Sequence, residues 1–151
     1  MFFEEHAKLL SEFARVSQAA GARADYVQGG GGNTSVKLPG GLMAIKASGF
    51  CLSDLRPDKA YAVLDGADLR NFYLTTEPSE LADVEKEGSA RAKADIRHID
   101  GLADLRPSVE AGFHSILKTF VVHTHSVYAN LAACSTTCRP IAAQAFAGAN
   151  Y

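Results

Sequence analysis

The stretch NTSVKLPGGLMAIKAS, residues 33–48, decides the fold class, because two short strand-like segments flank a turn signal. Val36 and Leu38 flank a lysine, in the alternation of a half-buried strand, and residues 42–47 are mostly apolar, as in a more buried strand. The Pro-Gly-Gly sequence at 39–41 is typical of a tight turn. The pattern predicts a β-hairpin, and therefore a largely antiparallel or mixed sheet rather than a purely parallel one.

Outward from this hairpin, hydrophobic periodicity predicts further helices and strands on both sides. Apolar residues at three- and four-residue steps predict a first helix that ends at Gly21, and Ser108 is a good N-cap for a later one. The predicted segments are helix 2–20, strand 61–65 with a turn at Gly66, one or two exposed helices within 67–106, helix 108–117, strand 120–125, helix 126–134 and a strand in 139–146. This order predicts an α/β domain in which helices cover a central sheet.

Composition and charge argue against several classes of protein. The 151 residues are 47% hydrophobic and 21% charged, with a net charge of −2 and no basic stripe, so a nucleic-acid partner has little electrostatic support. No apolar run approaches the ~20 residues that cross a bilayer, and MFFEEHAKLL is too acidic for a signal peptide. Three cysteines without a dense framework favour reduced thiols, so we expect a cytoplasmic protein with no nucleic-acid or membrane partner.

The segment FVVHTH places two of the five histidines one residue apart. On a strand, His123 and His125 would point to the same face, where two imidazoles could bind one metal ion. Zinc suits imidazole ligands, and a catalytic zinc site keeps one position open for substrate. The spacing fits equally well two polar residues on a solvated strand face.

Glu110 and His114 are four residues apart on the helix predicted before this strand, so they share one face. The chain between Glu110 and His123 is long enough for a helix, a turn and a returning strand, which would bring the start of the helix near the end of the strand. A carboxylate there could ligate a metal or transfer a proton. The alternative is an acidic residue in the first helical turn that interacts favourably with the helix dipole.

The segment GGGGNTS, residues 29–35, is a candidate binding loop. Glycines allow positive φ and close approach of the backbone to a ligand, so backbone N–H groups could cradle a phosphate or a carboxylate. The side chains of residues 33–35 and the Ala-Ser-Gly sequence at 47–49 could add further donors. The loop matches neither a P-loop nor a dinucleotide fingerprint, and the alternative is a flexible turn that enters the hairpin.

Together these segments resemble the class II aldolase and adducin family. The resemblance rests on four short motifs whose order matches the family from residue 29 to about residue 134. The motifs are Gly32-Asn33-Thr34-Ser35, Ala47-Ser48-Gly49, Pro107-Ser108-Val109-Glu110 with His114, and His123-Thr124-His125. The four glycines and the long insertion before Pro107 look most similar to the branch related to bacterial rhamnulose-1-phosphate aldolases.

The resemblance implies a three-layer αβα sandwich around a central antiparallel or mixed sheet, in a homotetramer with active sites between subunits. It also implies a zinc ion, or another divalent metal, held by three histidines, of which His123 and His125 would be two. Glu110 would be the catalytic acid/base. The residues that would hold the substrate phosphate are Gly32, Asn33, Ser48, Gly49 and Ser108.

The implied activity is that of a lyase in carbohydrate metabolism, which cleaves a ketose phosphate to dihydroxyacetone phosphate and an aldehyde. Alternatives on the same scaffold are a sugar-phosphate 4-epimerase, a dehydratase and a decarboxylase. The family also contains adducin-like domains that bind proteins and lack the metal site. The presence of Glu110, His123 and His125 argues against that last alternative.

The sequence departs from the family pattern in two places. Val109 stands where many relatives have a second hydroxyl residue, so one expected phosphate donor is missing. The third histidine of the family lies well downstream of the histidine pair, past residue 151, and no other histidine of this chain matches it. We therefore expect residues 1–151 to be a single domain of this type whose C-terminal part is missing.

Overall fold

The computed structural model describes residues 1–149, so the last two residues of the predicted 1–151 domain lie outside it. Seven α-helices and four strands are found in this range. The strands are β1 (Asn33–Lys37), β2 (Leu42–Lys46), β3 (Tyr61–Asp65) and β4 (Phe120–His123). The helices are α1 (Phe2–Glu5), α2 (Ala7–Gly21), α3 (Gly66–Thr75), α4 (Val84–Ala94), α5 (Ala111–Ile116), α6 (Val127–Ala133) and α7 (Cys138–Ala145).

The four strands form one antiparallel sheet in the order β3-β2-β1-β4. The predicted hairpin is confirmed: β1 and β2 pair with Ser35 opposite Ile45, and a 3₁₀ turn at Pro39–Gly41 joins them. Strand β4 returns from the C-terminal half of the chain to pair with β1, with Asn33 opposite His123. The sheet therefore brings the glycine loop before β1 next to the histidine pair.

Helices cover both faces of the sheet, which confirms the predicted three-layer arrangement. Because side chains alternate along a strand, neighbouring residues of β2 contribute to different cores. The core under α2 contains, among others, Leu10, Phe13, Ala14, Val36, Ala44 and Val63. The core under α3, α4 and α5 contains Met43, Ile45, Leu64, Leu69, Ala92 and Ala111.

The first helix differs from the prediction because it is broken at His6, whose backbone (φ −107°, ψ 10°) separates α1 from α2. The helix ends at Gly21, as predicted, and the cap Ala22 is right-handed. A Cβ at Gly21 would lie 2.6 Å from the backbone N of Ser53, so this glycine allows close packing rather than a turn.

Two further boundaries differ from the prediction. Gly66 begins α3 instead of a turn, and Asp65 caps that helix by accepting a hydrogen bond from the N–H of Asp68. Ser108 does not cap α5: its Oγ accepts a hydrogen bond from the N–H of Glu110, the residue just before the helix, as serine commonly does in local turns. The predicted helices within 67–106 are confirmed as α3 and α4.

The predicted strand at 139–146 is wrong, because the chain forms α7 there. Three alanines favour the helix, and Pro140 falls in the first turn, where its missing N–H costs no hydrogen bond. A short apolar run does not distinguish a strand from a helix by periodicity, which explains the error. Among residues 1–149, no helix combines the length and the apolar character needed to cross a bilayer.

Candidate metal and substrate site

The histidine pair lies where the β1–β4 ladder ends. Strand β1 begins at Asn33, opposite His123, so no residue of β1 remains to pair with the chain beyond His123. His125 consequently lies in the connection to α6 rather than on the predicted strand. Its ring nevertheless stays beside that of His123, with the two ring centroids 4.9 Å apart.

A separate contact brings the two serine-containing motifs together. Ala47, just after β2, forms an isolated antiparallel bridge with Pro107. The Ser48 N–H donates to the carbonyl of Arg106 at 2.9 Å, and the Ser48 hydroxyl donates to the carbonyl of Pro107 at 3.1 Å. Ser108 and Glu110 therefore lie next to the loop that follows β2.

These elements surround a cleft of about 200 Å³. Seven of the eight residues predicted from the sequence line it. They are Gly32, Asn33, Ser48, Gly49, Ser108, Glu110 and His125. His123, the eighth, does not line the cleft, but it contacts the lining residue Glu110. Val109 also lines the cleft and brings only apolar surface, as the sequence indicated.

Glu110 and His123 contact each other without a hydrogen bond. Glu110 Oε1 lies 2.9 Å from Nδ1 of His123, but Nδ1 is buried and has no hydrogen-bond partner among the described residues. A carboxylate oxygen and an imidazole nitrogen that lie close together without hydrogen-bond geometry are suited to face a common cation. Their chemistry fits a divalent metal.

His114, on α5, is the third member of this group. Its side chain is fully buried, Nδ1 is 2.8 Å from the Ser35 hydroxyl, and Nε2 has no partner among the described residues. One ligand atom from each of Glu110, His114 and His123 lies within 4.8 Å of the others, so the three form a candidate metal-binding cluster. Burial, helped by the nearby charge of Lys37, lowers the pKa of His114 to about 3, so the ring is neutral at physiological pH.

The glycine loop needs its glycines for close approach. Gly32 has φ +71°, and a Cβ there would lie 2.8 Å from the carbonyl oxygen of His123, the last residue of β4. A Cβ at Gly31 would lie 3.2 Å from Nδ1 of His125. The loop is thus packed directly against the histidine pair, which places its backbone at the rim of the cleft.

Two residues of the site were not selected from the sequence. His114 was noted only as a neighbour of Glu110, although its spacing of four residues was the available signal. Lys46 lines the cleft immediately before the Ala-Ser-Gly motif and was not considered. Asn33, by contrast, was predicted; it is buried and its Oδ1 has no partner among the described residues.

A larger cavity, of about 470 Å³, lies between α6 and α7. Its lining is mostly alanine with Ile141 and Phe146, and it brings together no group of acids and histidines. The small cleft at the end of the sheet is therefore the better candidate for chemistry.

Comparison with known protein families matches residues 11–150 to the Class II Aldolase and Adducin N-terminal domain. The chain belongs to this family. No curated protein matches the sequence significantly. Class II aldolases use a divalent metal, in keeping with the candidate metal-binding cluster at the end of the sheet.

Solved structures of the class II aldolase family share the fold. The N-terminal class II aldolase domain of a conserved protein from Thermoplasma acidophilum has a TM-score of 0.72 at 21% identity, with 89% of this chain and 63% of that chain covered. YgbL, a putative aldolase/epimerase/decarboxylase, is similar as well. The Escherichia coli protein has a TM-score of 0.54 at 21% identity, with 85% of this chain and 49% of that chain covered. The Klebsiella pneumoniae protein has a TM-score of 0.55 at 19% identity, with 87% of this chain and 50% of that chain covered. The chain thus spans from about half to about two thirds of the length of these structures.

Proposed function

We propose that this protein is a zinc-dependent aldolase that cleaves a ketose phosphate to dihydroxyacetone phosphate and an aldehyde. The observation that carries the proposal is the convergence of seven residues from distant motifs on one cleft, beside a carboxylate–imidazole contact without a hydrogen bond. Family membership supports metal-dependent chemistry on a small substrate. A homotetrameric, cytoplasmic protein remains a prediction from the resemblance.

We assign His123 and His125 as metal ligands, because both side chains are at least partly exposed while that of His114 is fully buried in the core. When bound, a zinc ion supplies Lewis-acid stabilisation of the negative charge that develops on substrate oxygens. His114 would then lie behind His123 and fix it by packing. The alternative ligand set is Glu110, His114 and His123, and it predicts a different response to mutation.

Glu110 is the proposed acid/base. In the cleavage direction, the C3–C4 bond breaks, its electron pair stays on C3, and the C4 hydroxyl gives its proton to the Glu110 carboxylate as the aldehyde forms. Glu110 then delivers a proton to C3, and the same carboxylate removes that proton in the reverse reaction. Gly32, Asn33, Ser48, Gly49 and Ser108 would hold the phosphate, so that remote binding energy orients the reacting carbons.

Turnover of a panel of ketose 1-phosphates by the native protein tests this proposal, with zinc content measured in parallel. Glu110→Gln should lower kcat by at least about 100-fold while zinc is retained, because general acid–base catalysis contributes about that much. The exposed Glu80→Gln is the control and should have wild-type kcat. Near-full turnover by zinc-loaded Glu110→Gln would exclude the acid/base role, and loss of zinc would instead make Glu110 a ligand.

The same panel separates the aldolase from its closest alternative. A 4-epimerase breaks and reforms the same bond, so it would return a ketose phosphate epimer and release no aldehyde. Product analysis by NMR therefore distinguishes the two reactions directly.

A further inference from the structure

A second cleft, of about 220 Å³, lies at the end of the sheet opposite the candidate site. Its lining includes Lys37, the last residue of β1, and Leu42, the first residue of β2. The candidate site is lined instead by the other ends of these two strands, Asn33 and Lys46. A ligand in the second cleft would therefore lie apart from the reacting atoms of the proposed aldolase.

Lys37 and Arg70 bring two positive charges to this second cleft. Both side chains donate to carbonyl groups in the last turn of α5 and just after it. An ammonium group has three N–H donors and a guanidinium group has five. Lys37 contacts two acceptors and Arg70 donates through Nη1 alone, so N–H donors of both side chains remain without acceptors among residues 1–149.

Neither cation has a direct counter-ion. Within the part of the chain that the structure describes, no carboxylate lies within ion-pair distance of either side chain. Two acids lie at the start of α3, but both are engaged elsewhere. Asp65, which caps α3, pairs with Arg97. Asp68, in the first turn, pairs with Arg91.

The two cations also disfavour each other. Burial, together with the nearby charge of Arg70, lowers the pKa of Lys37 to about 8. The ammonium group is still the main form at neutral pH, so two like charges share the cleft. An anion between them would offset both the repulsion and the cost of burial.

The start of α3 adds a third feature that favours an anion. Gly66 and Ala67, the first two residues of this ten-residue helix, line the cleft. Their N–H groups have no acceptor inside the helix, and the helix dipole places partial positive charge at this end. A phosphate group is a ligand that such a helix start binds, and the two cations here strengthen that preference.

We propose that this second cleft is an anion-binding site, which holds a phosphate group between Lys37, Arg70 and the first turn of α3. The site is separate from the proposed catalytic cleft, so the inference does not rest on the proposed function. Because the same two side chains hold the end of α5, which carries His114, a bound phosphate would act on the candidate site through that helix. If the two cations only capped the end of α5, their removal would lower stability and leave phosphate binding unchanged.

The chain offers a matched control in Arg56. Like Arg70, it is exposed and donates to two backbone carbonyls through Nη1 alone. It also lacks a carboxylate within ion-pair distance among residues 1–149, and it lies outside the lining of the second cleft. Arg70→Gln and Arg56→Gln therefore remove the same kind of group from inside and outside the proposed site.

Titration of the wild-type, full-length native protein with inorganic phosphate at low salt, followed by NMR, tests the inference. Phosphate should shift the Nε–H signal of Arg70, assigned by its loss in Arg70→Lys, and leave that of Arg56 in place. Because the signal belongs to one side chain, phosphate bound in the catalytic cleft is not mistaken for phosphate bound here. An Arg70 signal that phosphate does not move would overturn the inference.

Calorimetry on the variants measures what the charge contributes. Arg70→Gln should weaken phosphate binding at this cleft at least about tenfold, as expected for lost charge-assisted hydrogen bonds, while Arg56→Gln should stay within about twofold of wild type. Phosphate binding that is equal in Arg70→Gln and wild type would overturn the inference. Glycerol 3-phosphate, titrated in parallel, distinguishes the source of the phosphate group: tighter binding than inorganic phosphate indicates a phosphate ester, and weaker binding indicates free phosphate.

The outcome is independent of catalysis. If no ketose phosphate is cleaved but the Arg70 signal still responds to phosphate, the proposed function fails and this inference stands. If a ketose phosphate is cleaved and the Arg70 signal does not respond, this inference alone fails.

Discussion

The packing of Tyr73 provides a stringent test of how α5 is positioned behind the site. Tyr73, on α3, lies against Gly112 on α5, and a Cβ at Gly112 would lie 2.5 Å from Cε2 of the ring and closer still to Cζ and Oη. Gly112→Ala must therefore displace Tyr73 or α5. Overpacking of this kind costs about 1–3 kcal/mol, even though alanine by itself favours a helix over glycine by about 0.5–1 kcal/mol.

A double-mutant cycle separates these two effects. With Tyr73→Ala in place, the clash is gone, so adding Gly112→Ala should cost nothing or stabilise the protein by up to about 1 kcal/mol. We expect a coupling free energy of roughly 2 kcal/mol or more, measured by urea unfolding of the four proteins. The reasoning would be refuted if Gly112→Ala destabilised the Tyr73→Ala variant as much as it destabilises wild type.

Three further predictions concern the fold and the site. Ser17→Ala should cost about 1–2 kcal/mol in urea unfolding, because it leaves the buried hydroxyl of Thr34 without its 2.7 Å partner; an unchanged midpoint would contradict this. The N–H of Asp68 and the Arg97 guanidinium lower the pKa of the Asp65 carboxyl, so its charged form stabilises the folded state at neutral pH. This contribution to stability is lost as the pH falls below about 4, toward the lowered pKa of the folded state. The free energy of unfolding of Asp65→Asn should therefore fall less steeply with decreasing pH than that of wild type. Parallel plots of unfolding free energy against pH for the two proteins would refute this prediction. Gly31→Ala should weaken zinc binding, because its Cβ would press on Nδ1 of His125, and unchanged zinc affinity by competition with a chelator would count against that contact.

The β1–β2 hairpin and β3 could be predicted from the sequence because the residues that determine them are close together in the chain. The Pro-Gly-Gly turn fixes the β1–β2 hairpin, and β3 was predicted at its observed bounds, residues 61–65. The pairing of β4 with β1 joins residues almost 90 positions apart, and no periodicity encodes such a contact. That pairing sets where β4 ends, which is why His125 was predicted on the strand and lies beyond it.

The candidate site could be predicted in part, because most of its residues are polar groups in glycine- and serine-rich motifs. His114 and Lys46 were not predicted as site residues, in each case for a physical reason. A histidine inside an apolar helix is typical of a core residue, and its role depends on Ser35, 79 residues away. A lysine at a strand end is typical of a solvated residue, but Lys46 turns its Nζ inward to two loop carbonyls.

Zinc content of the native full-length protein is the most direct test of the central claim that the end of β4 carries a metal site. We predict about one zinc per chain in wild type and in His98→Ala, an exposed histidine paired with Asp104, and loss of zinc in both His123→Ala and His125→Ala. Loss in His123→Ala and His114→Asn but not in His125→Ala would move the site to the Glu110–His114–His123 cluster. Full zinc content in His123→Ala, or none in wild type, would contradict the account.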